Sequence, residues 1–229
     1  MTSRPTVQAG QLSGMLETFG LKHAAKQLPD LLETAMRNYA AAHFPPSARP
    51  IEEFDSPELE GGITAIQVEL LVDLSWLDAH GNVVLAGPPR LGKTMVALGL
   101  DLKAADEGYT VAYEKMETII EVLDKAEVDR KTEFRLRYLK KAQLVIVDEI
   151  GCTPINKNQA NKFFSFVSDA YERSSMIFTT NKEITQWEEF MGDQVLTTAM
   201  IDRILHHARC FLLRGESYRL KHPELYATT

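Results

Sequence analysis

Gly87-Pro88-Pro89-Arg90-Leu91-Gly92-Lys93-Thr94 follows the apolar run Val83-Val84-Leu85-Ala86 and opens a helix-patterned stretch. Two glycines, a lysine and a hydroxyl at this spacing are the residues that phosphate binding requires. Gly87 and Gly92 let the chain turn tightly, so that successive N–H groups face inward at the start of a helix. Those donors and the positive helix end cradle phosphate oxygens. Lys93 is expected to reach the β- and γ-phosphates, and the Thr94 hydroxyl to bind Mg²⁺. The cradle candidates are therefore Gly87, Pro88, Pro89, Arg90, Leu91, Gly92, Lys93, Thr94 and Met95. Many such loops carry glycine where Arg90 stands. If that position needs a positive φ, an arginine costs about 1–2 kcal/mol. Its side chain is then expected over the nucleotide or toward a neighbouring subunit.

Leu144-Val145-Ile146-Val147-Asp148-Glu149 is an apolar strand that ends in two acids. Beside a phosphate loop, Asp148 suits a metal-side carboxylate acting mostly through water, and Glu149 suits the base that deprotonates an attacking water. The plain alternative is a core strand turning polar where it meets solvent. Ser175 to Thr180 is a second such strand, and it places Asn181 near the γ-phosphate or simply at a turn. Arg203 lies outside the polar sector of its helix and needs a partner, either an acid of its own chain or a phosphate held by an adjacent subunit. His206 and His207 are neighbours on the same expected helix. They are therefore read as pointing apart, one to the core and one to the surface, and not as a metal pair. Arg130, Lys131, Arg135, Arg137, Lys140 and Lys141 form the best local basic patch, readable as a DNA-holding surface or as a solvated helix face.

The elements that position these groups alternate. Helices are expected at 65–78, 93–107, 116–141, 157–172 and 194–208, and strands at 83–86, 110–114, 144–148, 175–180 and 210–214. Strand alternating with helix means a five-stranded parallel α/β sheet with helices on both faces. Residues 11–43 read as a helical hairpin punctuated by Gly20 and Pro29, and Pro45, Pro46 and Pro50 separate it from the rest. This divides the chain into an extension at 1–50 and a core at 51–229. A charged fraction of 25% and an apolar fraction of 45% are those of a globular chain. No apolar run is long enough to span a bilayer and the start lacks a secretory pattern, so a cytoplasmic protein without membrane contact is expected. The two cysteines cannot frame a disulfide scaffold or a four-ligand zinc site. A net charge of −7 means that any nucleic-acid contact must come from a local patch.

Taken together, Gly87 to Thr94, LVIVDEIG, TTNK at 179–182, Trp187 with Phe190-Met191-Gly192-Asp193, DRILHHA at 202–208 and RGESYRL at 214–220 resemble IstB-type AAA+ proteins. These are ATP-dependent helpers of insertion-sequence transposases, and DnaC-type helicase loaders are their near relatives. The resemblance covers residues 51 to 220, and its last two segments are the most specific. It implies a P-loop NTPase fold with an AAA+ core and no C-terminal lid. It also implies ATP with Mg²⁺ at Lys93, Thr94 and Asp148, Glu149 as catalytic base, Asn181 as sensor and Arg203 as a finger across a subunit interface. The implied partners are further copies of the chain in a ring or spiral, duplex DNA and an IstA-like transposase. A helicase loader and a nucleotide-binding scaffold with little turnover are the rival readings. Arg90 departs from the family pattern, and so do the scattered basic residues before the core, Arg37 and Arg49 among them.

Overall fold

The computed structural model describes residues 9–46, 48–51, 63 and 65–214. Two compact units meet between Ala41 and Ala42. The first holds α1 (Ala9–Thr18) and α2 (Lys22–Ala41), separated at Gly20, which takes a left-handed φ of 79°. Pro29 lies inside α2 and does not end it. Residues 42–50, expected with the extension, belong to the second unit. Ala42 is fully buried there, and its carbonyl accepts a hydrogen bond from the Tyr113 amide at 3.0 Å.

The second unit runs α3 (Ala65–Val72), α4 (Ser75–Asp78), β1 (Asn82–Ala86), α5 (Lys93–Asp106), β2 (Val111–Lys115), α6 (Met116–Lys125), α7 (Arg130–Lys141), β3 (Leu144–Ile150), α8 (Lys157–Ala170), β4 (Ser175–Thr180), α9 (Trp187–Met191), α10 (Gln194–Leu205) and β5 (Ala208–Leu212). The strands form one parallel sheet in the order β2-β3-β4-β1-β5. Strand side chains alternate between two cores, as the pleat dictates. Val84, Ala112, Val145, Val147 and Phe178 face α6, α8 and α10. Val83, Leu85, Val111, Ile146 and Ile177 face α3, α4 and α5. With both faces covered, the strands read as continuous apolar runs.

Several expected boundaries move for local reasons. The stretch 116–141 is two helices, because Asp129 stops the chain and caps α7 by accepting from the Thr132 amide at 2.9 Å. Leu74, left-handed at φ 57°, divides 65–78 into α3 and α4. α10 ends at Leu205 and not 208, which lets β5 begin at Ala208, two residues earlier than expected. α9 and the 3₁₀ turn Ile184–Gln186 had no clear periodic signal, yet Trp187, Phe190 and Met191 fill the core beneath Phe178. Among the described residues no helix is long and apolar enough to cross a membrane. The expected absence of a lid, and the segment 215–220, fall outside the described residues.

Candidate nucleotide site

The phosphate loop links the carboxyl end of β1 to α5, at the carboxyl edge of the parallel sheet, where open α/β folds bind ligands. Gly87 has φ 143°, and a Cβ there would stand 2.3 Å from the Leu213 carbonyl oxygen, so any side chain collides with backbone. Gly92 is the left-handed N-cap of α5 (φ 83°) and provides no side-chain cap. The first amides of α5, on Lys93, Thr94 and Met95, are thus without intrahelical acceptors, as at every helix start. Pro88, Pro89 and Arg90 are exposed, while Leu91 is buried and anchors the loop in the core.

Lys93 is buried, and its Nζ donates to the Gly87 and Pro88 carbonyl oxygens, each at 2.7 Å. Burial lowers its pKa to about 8, against a smaller opposing pull from Asp148. The ammonium therefore sits within the loop, desolvated and hydrogen-bonded among the described residues to neutral acceptors alone, an environment that anionic oxygens would improve. Thr94 Oγ1 donates to Asp148 Oδ1 at 2.9 Å, which brings the two expected magnesium-side groups to one point. Asp148 is almost fully buried. Its Oδ1 also accepts from the Thr179 hydroxyl, and its Oδ2 accepts from the Tyr113 hydroxyl at 2.7 Å. Burial, then the Asp148 charge, holds the Tyr113 phenol well above its ordinary range, so it remains a donor.

Glu149 follows on the same strand in a left-handed backbone (φ 60°), and its amide donates to the Thr179 hydroxyl at 3.0 Å. This φ turns its carboxylate away from the pleat and into partial exposure, where it pairs with Lys115 Nζ at 2.8 Å. That pairing, led by the hydrogen bond, raises the Lys115 pKa. Asn181 follows β4 at the same edge, exposed, with its amide 4.0 Å from Cys152 Sγ. Lys93, Thr94, Asp148, Glu149 and Asn181 thus all lie at the carboxyl ends of β1, β3 and β4.

Arg203 does not join them. It lies near the end of α10, beside Asn82 and Met176 at the opposite, amino edge of the sheet. Its guanidinium stacks on Phe164 at 4.9 Å and donates to the Ala199 carbonyl at 2.8 Å. Among the described residues it pairs with no carboxylate, Asp202 included.

The basic patch divides. Arg135 is nearly buried and bound to Glu114 at 2.6 Å, Arg137 pairs with Glu133 at 2.5 Å and Lys140 with Asp169 at 2.8 Å. Arg130, Lys131 and Lys141 are exposed and make no ion pair among the described residues.

Arg90 has φ 68°, so the strained conformation considered from sequence is the one adopted. Its exposed guanidinium makes no hydrogen bond to a described residue. Replacing Arg90 with glycine is expected to weaken ATP binding by about tenfold, the worth of one charge-assisted hydrogen bond. Relief of strain and the added freedom of glycine in the unfolded chain nearly cancel, so stability should change by less than about 1 kcal/mol. Calorimetric titration and urea melting check the pair. Unchanged affinity would show that the side chain does not touch nucleotide.

A glycine-bounded phosphate loop after β1 in a β2-β3-β4-β1-β5 sheet, with a buried aspartate on β3, defines a P-loop nucleotide-binding core of the AAA+ class. The chain belongs to the IstB-like ATP binding protein family, whose model matches residues 28–225. It is 40% identical over 176 residues to the IS21 insertion-sequence ATP-binding protein of Pseudomonas aeruginosa, covering 77% of this chain and 66% of that one. It is 34% identical over 180 residues to the IS5376 counterpart of Geobacillus stearothermophilus, covering 79% and 71%. The match thus spans about two thirds of these relatives. AMPPCP-bound DnaA from Aquifex aeolicus superposes with a TM-score of 0.60 at 16% identity, covering 82% of this chain and 58% of that one. The DnaI crystal structure gives 0.57 at 14% identity, covering 70% and 95%. At these identities the likeness is one of fold.

Tyr113, Thr179 and Lys115 escaped the sequence reading. Each acts through strand register. Lys115 lies opposite Asp148 in the β2–β3 pairing, and Thr179 lies on β4 beside β3. A polar residue at the end of an otherwise apolar strand was the available signal for Thr179.

Proposed function

We propose that this chain is an ATP-hydrolysing assembly factor for DNA transposition: copies join on duplex DNA with ATP between them and present that DNA to a transposase. The observation that carries the reading is the division of the machinery between the two edges of one sheet. Lys93, Thr94, Asp148, Glu149 and Asn181 occupy the carboxyl edge, while Arg203, paired with no described carboxylate, occupies the amino edge. β1 alone runs about 16 Å between those edges. An arginine so placed serves a phosphate on a neighbouring copy, and the pocket is complete only in an oligomer. The family membership and the insertion-sequence names of the relatives support the transposition context.

The residues present fit Mg²⁺·ATP, which would supply the electrophilic phosphorus and the charge that polarises it. The amides of Lys93, Thr94 and Met95 would bind phosphate oxygens, and Lys93 would exchange its two carbonyl acceptors for anionic ones. Thr94 and Asp148 would flank the metal, with Tyr113 and Thr179 fixing the Asp148 carboxylate. Glu149 would take a proton from water once its carboxylate leaves Lys115, and Asn181 would orient that water. Arg130, Lys131 and Lys141, with the exposed pairs of Arg137 and Lys140 able to exchange partners, would meet DNA phosphates; Arg135 would hold α7 to β2.

Analytical ultracentrifugation with ATP and duplex or single-stranded DNA tests the reading. Large assemblies on duplex DNA that fall apart as salt rises are expected. A monomer under all conditions would overturn assembly, and a preference for single strands would favour the helicase-loader alternative.

A further inference from the structure

α10 stops one residue before His206, and this changes what two adjacent histidines can do. On a helix their side chains would diverge; at the turn into β5 both are exposed, and their ring centroids lie 4.1 Å apart. The sequence expectation of one buried histidine and one surface histidine does not hold. Glu172 reaches the same place from the turn between α8 and β4. One ligand atom from each of Glu172, His206 and His207 lies within 4.8 Å of the others.

Three further features make this a shaped site. Glu172 takes a left-handed backbone with φ 57°, which costs a non-glycine residue about 1 kcal/mol and is typical of ligand clamps. The Tyr171 hydroxyl lies 2.8 Å from His206 Nδ1, which fixes that ring and leaves Nε2 as its open nitrogen. Hydrogen bonding of the second nitrogen is the usual support of a metal-bound imidazole. Tyr171, Glu172 and His207 also line a crevice of about 10 Å³, about the space of one water-sized particle.

We infer that Glu172, His206 and His207 bind one divalent transition-metal ion of the Zn²⁺ type. Two imidazoles and one carboxylate suit zinc, which tolerates three protein ligands and a water in tetrahedral geometry. Mg²⁺ and Ca²⁺ prefer all-oxygen shells, so they do not compete here. The ion ties the α8–β4 turn to the end of α10, across about one turn of helix from Arg203. The site lies at the amino edge of the sheet, away from the phosphate loop, and binds its ion without nucleotide.

Zinc chloride titrated calorimetrically into the full chain, free of any histidine tag and of ATP, tests this. One Zn²⁺ per chain is expected, unaffected by millimolar Mg²⁺, with a rise in melting temperature. His207→Ala and Glu172→Gln should each weaken affinity at least about tenfold and remove the melting shift. Their melting temperatures without zinc should stay near that of the parent chain, since all three side chains are exposed. Tyr171→Phe should weaken zinc binding less, with the ligand set intact. Failure of the parent chain to bind zinc, or undiminished binding by a His206→Ala/His207→Ala double variant, would overturn the site. ATP binding would remain intact in either case.

Discussion

Replacing Glu149 with glutamine is expected to lower ATP turnover by about 10²–10⁴-fold, the usual worth of a positioned general base, while ATP affinity changes less than about threefold. Glutamine keeps the shape of the side chain but cannot accept the water proton. The fold should hold, because among the described residues the Glu149 carboxylate pairs only with Lys115, across a half-exposed pair, and such pairs contribute at most about 1 kcal/mol. The left-handed backbone at Glu149 is unchanged by this substitution, so the strain there is common to both proteins. A nucleotide-trapped oligomer is the expected end state. Phosphate release under single-turnover conditions measures the effect. Turnover within tenfold of the parent chain would remove Glu149 from the role of base and would favour a scaffold with another route to slow hydrolysis.

Replacing Lys93 with alanine is expected to weaken ATP binding by about 10²–10⁴-fold, the sum of two charge-assisted hydrogen bonds of roughly 1.5–3 kcal/mol each. The carbonyls of Gly87 and Pro88 lose their donor but lie beside the exposed part of the loop, where water can replace it. The same lysine makes a second signature in the parent chain. Its pKa of about 8 in the free protein should rise toward the ordinary lysine value once anionic oxygens surround it. ATP binding should therefore take up protons between about pH 8 and 10, and take up almost none near pH 6.5, where the lysine is charged in both states. Calorimetry in two buffers of different ionisation enthalpy reads that uptake directly. Equal enthalpies in both buffers at pH 8.5 would show that Lys93 does not meet the phosphates.

Much of this architecture was legible because its signals are local. The strands at 144–148 and 175–180 declare themselves as apolar runs, and Gly87 to Thr94 declares a cradle because each residue type there answers one requirement of a phosphate. Arg90 was flagged for the same reason, and its φ of 68° is the strain anticipated. What stayed hidden depends on residues far apart in the chain. Tyr113 and Thr179 meet on Asp148 only because β2, β3 and β4 align as they do, and no window of sequence encodes that register. Arg135 looks like a member of a basic surface until β2 brings Glu114 beneath it. The pairing of His206 with His207 turned on a helix end three residues earlier than periodicity suggested. The break at 126–129, by contrast, was readable: Asp129 followed by Thr132 is an N-cap pattern inside what looked like one long helix.

The central claim is that one copy supplies Arg203 to the ATP of the next. Mixing two inactive variants tests it most directly. Lys93→Ala cannot hold ATP but keeps Arg203, and Arg203→Ala holds ATP but lacks the arginine. Each should be nearly silent alone on duplex DNA. Mixed in equal amounts, random neighbours place an intact cradle beside an intact arginine at about a quarter of the sites, and ATP hydrolysis should recover to roughly that share of the parent rate. A mixture no more active than its two parts, with both variants still assembling on DNA, would contradict a pocket built from two copies.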